Sequence, residues 1–560
     1  MSDGALTRAG ADAVLGRLML AFRGATVPGW LRTRLADVPV AGFTLFRPYN
    51  VRSPRQVRRL TAGLQAAARA RDGSDGLPIL IAADQEGGQL IALGAVPGSR
   101  DDWTQFAGAM AIGATGDAGL AERIGRAIGL ELRAVGVNVN YAPVLDVATN
   151  PSNPALGIRS FGDDPAEVAR LAAAWLNGLQ SAGVAGTGKH FPGKGEGSVD
   201  THHALDAVDR TRDELGAVEL APFRAATEAG VHLVMSGHFA VPALTGSRAL
   251  PSTLSRRVMH DLLRDELGFT GVSITDALDM AALPQDATQA VDVVTALDAG
   301  VDLLLATADR RAQRRIESAL VRAAEVELLD ADGIARSRAR LEALRRWIDS
   351  FDEPSLDVVG SAEHRALARE LAARSLTLVR DHAGLLPLRR SPEHRILVVM
   401  PAPKDLTPAD TSSYVTPTLA AALRAHGPHV DEVVTSHPPT DAEIVALRAR
   451  AEGYDAIVAG TISATAGSPQ AELVRGLIAA GRPVVSVALR TPWDLAAYPE
   501  AGTHVCTYSI LPESMAVLAA ALFGRTESGA GPFPGRLPVR LAGAGVPAVG
   551  VPAAGLEVDA

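Results

Sequence analysis

The sequence predicts an α/β protein with an N-terminal (β/α)8 barrel of the TIM type, followed by a smaller C-terminal α/β sandwich domain. Short β-branched runs alternate with Ala-, Leu- and Arg-rich helical stretches, which indicates βα repeats. Eight such runs fit within residues 1–345, and eight strands close a barrel. Polar residues follow many of the runs directly, where a parallel barrel gathers its loops. A doubly wound sheet is the competing architecture.

The eight barrel strands are predicted from the apolar runs at 18–22, 42–46, 78–84, 137–147, 184–191, 232–238, 271–277 and 301–307. The polar side chains that end these runs are Asp84, Asp146, Lys189, His190, His238 and Asp276. Scattered surface charges would not fall so regularly at strand ends. We therefore expect these side chains to lie together at the C-terminal mouth of the barrel, where barrels of this type hold their active sites.

Beyond the barrel the pattern changes. A polar, helical stretch that includes EHRALARELAARS predicts a helical linker over residues 346–374. Apolar runs that alternate with helices predict a sandwich domain over 375–545. The strands expected in this domain lie at 395–402, 455–460, 483–489 and 504–509. Residues 546–560 are rich in Gly, Ala and Pro and predict a flexible tail.

Composition and charge limit the function classes. With 47% hydrophobic and 21% charged residues, the chain has the composition of a soluble globular protein. A formal net charge of -9 argues against a nucleic-acid partner, because phosphate backbones are bound by clustered Lys and Arg. The single Cys506 excludes an internal disulfide and a thiolate metal cluster. The chain has neither an apolar run of about 20 residues nor a signal-peptide pattern, so we expect a cytoplasmic protein without a membrane partner.

Asp276 is the first candidate for chemistry. It ends the run GVSITDA, with small residues around it, so its carboxylate can point into the barrel mouth. A carboxylate in such a place can serve as a nucleophile. The alternative interpretation is an N-cap for the following segment ALDMAALP, because Asp after a strand often caps the next helix.

The segment with the most candidate site residues is KHFPGKGEGSVDTH, residues 189–202, in which a strand end carrying Lys-His is followed by a glycine-rich loop. The glycines predict a loop that can fold over a bound ligand and open again. Asp200 and His202 close the segment two residues apart, so the carboxylate can orient the imidazole and stabilise its cation. Such a pair can move protons near neutral pH. A surface turn is the alternative interpretation.

At these residues the sequence resembles glycoside hydrolase family 3, and more closely its bacterial β-N-acetylglucosaminidase branch, the NagZ-like enzymes, in a two-domain form. The motifs that carry the resemblance are DQEGG (84–88), APVLDV (142–147), NPALGIRSFG (153–162), KHFPG (189–193), DTH (200–202) and TDALDM (275–280). LTLVRD, TPWDL, TYS and GRLPV in the second half resemble the C-terminal sandwich of the family. The resemblance covers nearly the whole chain.

The resemblance implies a retaining, exo-acting β-N-acetylglucosaminidase that releases terminal β-linked N-acetylglucosamine through a covalent glycosyl intermediate, with a place in the recycling of peptidoglycan fragments. It implies that Asp276 is the nucleophile and that His202 with Asp200 forms the acid/base dyad. The residues implied in binding the sugar's hydroxyl and acetamido groups are Asp84, Arg159, Lys189 and His190. No metal and no organic cofactor is implied. The expected partner is a small carbohydrate, bound by a monomer or a homodimer.

The chain departs from the family pattern at several positions. Gln89, Lys194 and Glu196 stand where the family usually has arginine, histidine and often aspartate, and Thr201 replaces the usual serine. Gln89 puts the preference for cell-wall fragments in doubt. Lys194 adds a cation that could attract inorganic phosphate, so a phosphorylase acting on β-N-acetylglucosaminides or β-glucosides is an alternative. A β-glucosidase is another, and an inactive sugar-binding protein is the alternative from a different class.

Overall fold

A computed structural model of the protein describes residues 10–71, 73–94, 103–526, 529 and 531–541. In its N-terminal part eight parallel strands close into a barrel, with each strand hydrogen-bonded to its neighbours in chain order. The barrel strands are β1 (Leu18–Leu20), β2 (Gly42–Thr44), β3 (Leu80–Ala83), β4 (Val139–Asn140), β5 (Ala185–Phe191), β6 (Leu233–Ser236), β7 (Val272–Ala277) and β8 (Leu303–Leu305). The predicted (β/α)8 barrel is confirmed, and the doubly wound alternative is wrong.

Helices connect the strands around the barrel. The longer ones are Gly29–Asp37, Pro54–Arg69, Ala109–Thr115, Ala118–Ala134, Pro165–Ser181, Leu220–Glu228, the π-helical Arg257–Glu266, Gln289–Asp298, Arg310–Glu325 and Ala331–Asp349. Shorter helical turns are Arg47–Asn50, Gly157–Arg159, Arg212–Ala217, Pro242–Thr245, Ser252–Leu254 and Leu356–Val358. Capping fixes many of their starts; Asp164, for example, accepts hydrogen bonds from two backbone N–H groups of the first turn of Pro165–Ser181.

Successive side chains of each strand point to opposite sides of the sheet, which produces two hydrophobic cores, one inside the barrel and one between the barrel and its helices. In β1, Met19 points into the barrel, whereas Leu18 and Leu20 face the surrounding helices, as the period of two requires. The interior cluster is closed at the N-terminal end of the barrel by Leu344 and Ile348 of the helix Ala331–Asp349. Because this end is plugged by apolar side chains, the opposite, C-terminal mouth is the open end available for a ligand.

The second domain is built on a six-stranded sheet whose order is β9-β14-β13-β12-β10-β11. Its strands are β9 (Thr377–Asp381), β10 (Arg395–Pro401), β11 (His429–Thr435), β12 (Ala456–Thr461), β13 (Val484–Ala488) and β14 (Thr503–Cys506). Its helices are Ala362–Ser375, Ser412–Tyr414, Leu419–Arg424, Asp441–Ala451, Pro469–Ala479, Pro492–Ala497 and Pro512–Leu522. All pairings are parallel except that of β9 with β14. The predicted α/β domain is confirmed; the two edge strands, β9 and β11, were not predicted as strands from the sequence.

Polar contacts join the two domains at several places, two of which are at the helix Ala362–Ser375 and at the barrel mouth. At one, His364 Nδ1 lies 2.8 Å from Glu131 Oε1, with both side chains buried between the helix Ala362–Ser375 and the barrel. At the other, a loop of the second domain reaches the barrel mouth, where Thr411 donates its backbone N–H and its hydroxyl to the carbonyl of Gln89, at 2.7 and 3.0 Å. The second domain therefore forms part of the surroundings of the mouth.

The domain boundaries at 345, 374 and 545 stay a prediction, and the predicted tail at 546–560 lies outside the described residues. Within the described part of the chain, no helix has both the length and the apolar character needed to cross a membrane.

Candidate active site

The predicted site residues come together at the C-terminal mouth of the barrel. Asp84 directly follows β3, Lys189 and His190 lie in the last part of β5, and Asp276 is the penultimate residue of β7. Arg159 lies in the turn Gly157–Arg159, between β4 and β5. Side chains more than one hundred positions apart in the sequence are thus brought within hydrogen-bonding distance by the closure of the barrel.

A buried cluster of ion pairs forms one wall of the mouth. Lys189 Nζ lies 2.7 Å from Asp84 Oδ1 and 2.6 Å from Glu86 Oε1. Arg159 forms two bonds of 2.8 Å to the two oxygens of Glu86. Burial opposes the charge of Glu86, but Arg159 and Lys189 outweigh it and lower the pKa of this carboxyl to about 2. Glu86 therefore holds both cations, and the side chain of Asp84, which pairs with Lys189 but is 24% exposed, can also meet a ligand.

Glu86 was not identified as a site residue from the sequence. It lies in the motif DQEGG, two residues after Asp84, on the small antiparallel pair Gln85–Gly87 and Leu90–Ile91. A carboxylate two positions from a strand-end aspartate, on the same side of an extended chain, was the signal that could have found it.

Asp146 orients His190. The Nδ1 atom of His190 lies 2.7 Å from Asp146 Oδ2, and both side chains are buried. Burial, together with the cations of Lys194 and Arg159, lowers the pKa of His190 well below its ordinary value. A neutral ring donates from Nδ1 to Asp146, which leaves Nε2, 3.5 Å from Arg159 Nη2, as the acceptor. Asp146 was recognised in the sequence as a strand-end residue, but not as the partner of His190.

Asp276 does not cap a helix. The residues after it form turns, and the next helix, Gln289–Asp298, begins only after Thr288. Asp276 Oδ1 accepts a hydrogen bond of 2.8 Å from the neighbouring N–H of Ala277. His238 Nε2 lies 3.2 Å from the carbonyl oxygen of Ala277. The backbone around the carboxylate is therefore held from two sides.

The surroundings of Asp276 favour its ionised form. Burial opposes the charge, but the neighbouring His190, His238 and Lys194 outweigh burial and hold the pKa of the Asp276 carboxyl well below its ordinary value. The ammonium of Lys194 is the cation among these three groups when both imidazoles are neutral. The carboxylate is thus available as an anion throughout the physiological pH range. Such a group can act as a nucleophile or stabilise a developing positive charge.

Asp200 and His202 form a hydrogen-bonded pair. Asp200 Oδ1 lies 2.7 Å from His202 Nδ1 and also accepts the backbone N–H of His202 at 3.0 Å. The side chain of Asp200 is 5% exposed and that of His202 22%, so the pair is not a solvated surface turn. Burial raises the pKa of Asp200, but its bonds to His202 outweigh this and lower it to about 2. The ionised carboxylate fixes Nδ1 as the protonated nitrogen and leaves Nε2 to exchange protons.

The loop that carries this pair is hydrogen-bonded to the segment that follows Asp276. Ala281 donates its N–H to the carbonyl of His202 at 3.3 Å, and Ala282 donates to that of Thr201 at 3.2 Å. These two bonds connect the backbone around the pair to the chain five and six residues beyond Asp276. The structure therefore joins the two groups that the sequence singled out through a short path of backbone.

Lys194 lies in the same loop and is 5% exposed. Its backbone N–H donates to Asp146 at 2.8 Å, whereas no hydrogen bond or ion pair of its ammonium to another described residue is seen. Burial and the cation of Arg159 lower the pKa of Lys194, against the opposing effect of Asp146, Asp276 and Asp200. An unpaired, nearly buried ammonium is costly and is best explained by a ligand group that meets it.

Metal ligands do not converge at the mouth. In the described ranges, the one grouping of three suitable side chains is His260, Asp261 and Asp265, on the partly exposed helix Arg257–Glu266. The mouth instead combines carboxylates, imidazoles and cations, a set suited to hydroxyl and amide groups and to proton transfer.

Comparison with known proteins identifies the family of the chain. Residues 27–342 match the model of the glycosyl hydrolase family 3 N-terminal domain. The chain is 36% identical over 393 residues to Beta-hexosaminidase A of Pseudoalteromonas piscicida, an alignment that covers 65% of this chain and 63% of that protein. The chain thus spans less than two thirds of the length of this relative.

Two solved structures are similar over nearly the whole chain. One is a glycoside hydrolase family 3 β-N-acetylglucosaminidase from Paenibacillus sp. str. FPU-7, with a TM-score of 0.86, 35% identity, and coverage of 95% of this chain and 98% of that one. The other is the β-glucoside phosphorylase BglX, with a TM-score of 0.75, 25% identity, and coverage of 98% and 97%. The family model, the identity to the relative and the shared two-domain fold together show that the chain belongs to glycoside hydrolase family 3.

Proposed function

We propose that the chain is a retaining, exo-acting β-N-acetylglucosaminidase that releases terminal β-linked N-acetylglucosamine by double displacement. The observation that carries the proposal is the pairing of an ionised strand-end carboxylate, Asp276, with the hydrogen-bonded pair of Asp200 and His202 on the adjoining loop. The names of the hexosaminidase relative and of the Paenibacillus structure support the same substrate class.

In the first displacement, Asp276 attacks the anomeric carbon while the bond to the leaving oxygen breaks. The leaving oxygen takes the proton from His202 Nε2, and the sugar remains as an ester of Asp276. Because its pKa is held low, Asp276 is a good leaving group in the second step. There His202 takes a proton from water, the resulting hydroxide attacks the anomeric carbon, and the carboxylate is released.

Asp200 supports both steps. Its carboxylate, hydrogen-bonded to Nδ1, stabilises the imidazolium that forms when His202 accepts a proton and keeps the ring turned towards the reacting oxygen. Asp84, Arg159, Lys189 and His190 would bind the hydroxyl and acetamido groups of the sugar, held in place by Glu86 and Asp146. Charged donors and acceptors of fixed orientation suit such a ligand.

A substrate panel tests the proposal. Aryl β-N-acetylglucosaminide and aryl β-glucoside are assayed with wild type, Asp276→Ala and His202→Ala. We expect turnover of the acetamido sugar, a loss of more than about 100-fold in Asp276→Ala, and a loss in His202→Ala that becomes larger as the aryl leaving group becomes more basic. Substantial activity of Asp276→Ala would exclude the mechanism, a preference for the glucoside would make the chain a β-glucosidase, and tight binding without turnover would make it an inactive sugar-binding protein.

A second candidate, phosphorolysis, is favoured by Lys194. Its unpaired ammonium is close enough to Asp276 and Asp200 for their charges to act on it, and a similar structure is named a β-glucoside phosphorylase. A phosphate dianion that replaces water in the second displacement would be attracted by this cation. Assays with and without inorganic phosphate, in wild type and Lys194→Met, decide the question: sugar 1-phosphate formed by wild type alone supports phosphorolysis, and free sugar at a phosphate-independent rate supports hydrolysis.

Peptidoglycan recycling, a cytoplasmic location and the choice between monomer and homodimer belong to the same proposal. Release of N-acetylglucosamine from purified peptidoglycan fragments, compared with the aryl substrate, tests the biological substrate. If the fragments are cleaved far more slowly than the aryl substrate, the recycling role is wrong.

A further inference from the structure

We propose that Glu196, Arg210 and Glu219 are positioning residues that hold the loop 193–202 in place, and with it the Asp200–His202 pair; the inference rests on the proposed acid/base role of that pair. Arg210 Nη2 donates to Glu196 Oε2 at 2.7 Å, and Arg210 Nε donates to Glu219 Oε1 at 3.0 Å. One guanidinium thus joins a carboxylate of the loop to a carboxylate of the barrel.

The anchor of this network is buried. The side chain of Glu219 is completely buried, that of Arg210 is 18% exposed and that of Glu196 is 39% exposed. Glu219 immediately precedes the helix Leu220–Glu228, which follows β5 around the barrel. One end of the network is fixed in the barrel wall and the other lies on the loop. Arg210 therefore fixes the position of the loop relative to the barrel.

Among the further contacts that fix the loop at this point, two involve the residues of the network directly. The hydroxyl of Thr149, from the segment after β4, donates to Glu196 Oε2 at 2.7 Å and lies 3.1 Å from Arg210 Nη2. Gly193, with a φ of 115°, packs directly on Glu219: a Cβ at this glycine would lie 2.6 Å from the Cβ of Glu219. Glu219 therefore contacts the start of the loop itself and reaches its middle through Arg210.

A displacement of Glu196 would reach the catalytic pair, because Asp200 and His202 lie only four and six residues further along the chain. The backbone between them is tied down, since Ser198 and Val199 donate their N–H groups to Asp206 Oδ2 at 2.9 and 3.1 Å. Asp200 Oδ2, by contrast, is buried and has no hydrogen-bond partner among the described residues. The direction of the Asp200 carboxylate is thus set largely by the loop backbone, which the network and Asp206 hold together.

Removal of Arg210 should leave the fold intact. Burial raises the pKa of Glu219 to about 7, against the lowering effect of Arg210 and with a further rise from Glu196. Without the guanidinium, Glu219 would take up a proton near neutral pH instead of remaining a buried unpaired charge. The folded variant can therefore be assayed.

The experiment uses two substrates with different leaving groups to distinguish misplacement of the general acid from general damage to the active site. It compares kcat/KM for two substrates. The leaving group of dinitrophenyl β-N-acetylglucosaminide departs without protonation, whereas the leaving group of N,N′-diacetylchitobiose must be protonated. The variants are Arg210→Met and Glu196→Gln. His202→Ala is the reference, and Arg34→Met is the matched control, because the pair of Arg34 with Glu317 is similarly buried on the outside of the barrel. Thermal unfolding of every variant is measured alongside.

We expect both variants to lose about 10- to 100-fold on chitobiose and less than about threefold on the dinitrophenyl substrate, in the manner of His202→Ala. The control should change neither. Equal losses on both substrates, or no loss on either in a folded variant, would overturn the positioning role. If the loss in His202→Ala does not depend on the leaving group, the proposed acid/base role is wrong, and the positioning role is wrong with it. If only His202→Ala shows this dependence, the positioning role of the network is wrong and the acid/base role stands.

Discussion

Arg159 and Glu86 form a bidentate ion pair with two bonds of 2.8 Å, and their side chains are only 2% and 5% exposed. The same carboxylate lies 2.6 Å from Lys189. One acidic residue therefore fixes two of the cations that we assign to sugar binding. The arrangement joins a turn after β4, the end of β5 and the segment after β3.

Replacement of Glu86 by Gln should impair both catalysis and stability. The amide leaves the buried guanidinium of Arg159 without its counter-charge, which costs about 3 kcal/mol or more, and a small displacement of Arg159 and Lys189 lowers kcat/KM by about 100-fold. Steady-state kinetics and urea unfolding measure the two effects. Glu342→Gln is the control, because Glu342 forms an exposed pair with Arg346 within one helix; a Glu86 variant no more affected than this control would contradict the prediction.

Replacement of Asp200 by Asn should shift the pH dependence of kcat/KM. Neither Asp200, with a pKa of about 2, nor Asp276, with a lowered pKa, is protonated near neutral pH, so the limb at high pH reports the loss of the proton from the acid. Asn no longer stabilises the imidazolium, so this limb moves to lower pH and the maximal rate falls by about 100- to 10,000-fold. An unshifted profile would show that Asp200 does not act on His202.

Replacement of Asp410 by Ala should destabilise the loop with which the second domain touches the barrel mouth. Asp410 Oδ2 lies 2.6 Å from Arg490 Nη2, and the side chains are 0% and 4% exposed. The same carboxylate accepts the backbone N–H groups of Leu406 and Ser412, next to the Thr411 that bonds to Gln89. We expect a loss of about 3–5 kcal/mol, because a buried cation is left unpaired.

Thermal unfolding checks this prediction, and a rise in KM would show that the loop also serves the mouth. Asp431→Asn in the same domain is the control, because the side chain of Asp431 is 31% exposed. An Asp410→Ala variant with the melting temperature of wild type would show that the loop is held by other contacts.

Replacement of Asp302 by Asn should lower stability without lowering activity. Asp302 precedes β8 at the end of the barrel opposite the mouth, where its carboxylate pairs with Arg264 at 2.8 Å and with Arg340 at 2.6 Å. Burial opposes its charge, but the two guanidinium groups outweigh this and lower its pKa. Loss of the charge should cost about 3–5 kcal/mol at neutral pH, measured by urea unfolding.

The pH dependence of this contribution has a definite sign. A carboxyl whose pKa is lowered by folding stabilises the protein above its unfolded pKa of about 3.9, and this stabilisation is lost as the pH falls through the folded pKa. The difference in stability between wild type and Asp302→Asn should therefore shrink below about pH 4. A constant difference down to the acid transition would mean that Asp302 does not titrate in the folded protein with a lowered pKa.

The barrel was predictable because its strands are short apolar runs that end in polar residues, a pattern local enough to be seen in sequence. The edge strands β9 and β11 were not. Strand β11, HVDEVVT, is only partly buried, and the edge of a sheet carries charged residues that mask the apolar pattern. Likewise, Asp276 could be singled out by its strand end, but the helix-cap interpretation could be excluded only by the turn that follows it.

By itself, the sequence determined the eight barrel strands, the positions of Asp84, Lys189, His190 and Asp276 at strand ends, and the short spacing of Asp200 and His202. These features depend on residues that are neighbours in the chain. Only the tertiary structure decided that Glu86 holds Arg159, 73 positions away, that Asp146 orients His190, and that Arg210 links the loop to Glu219. Barrel closure creates these contacts, because it brings the ends of separate strands together and buries their charges, which must then find partners.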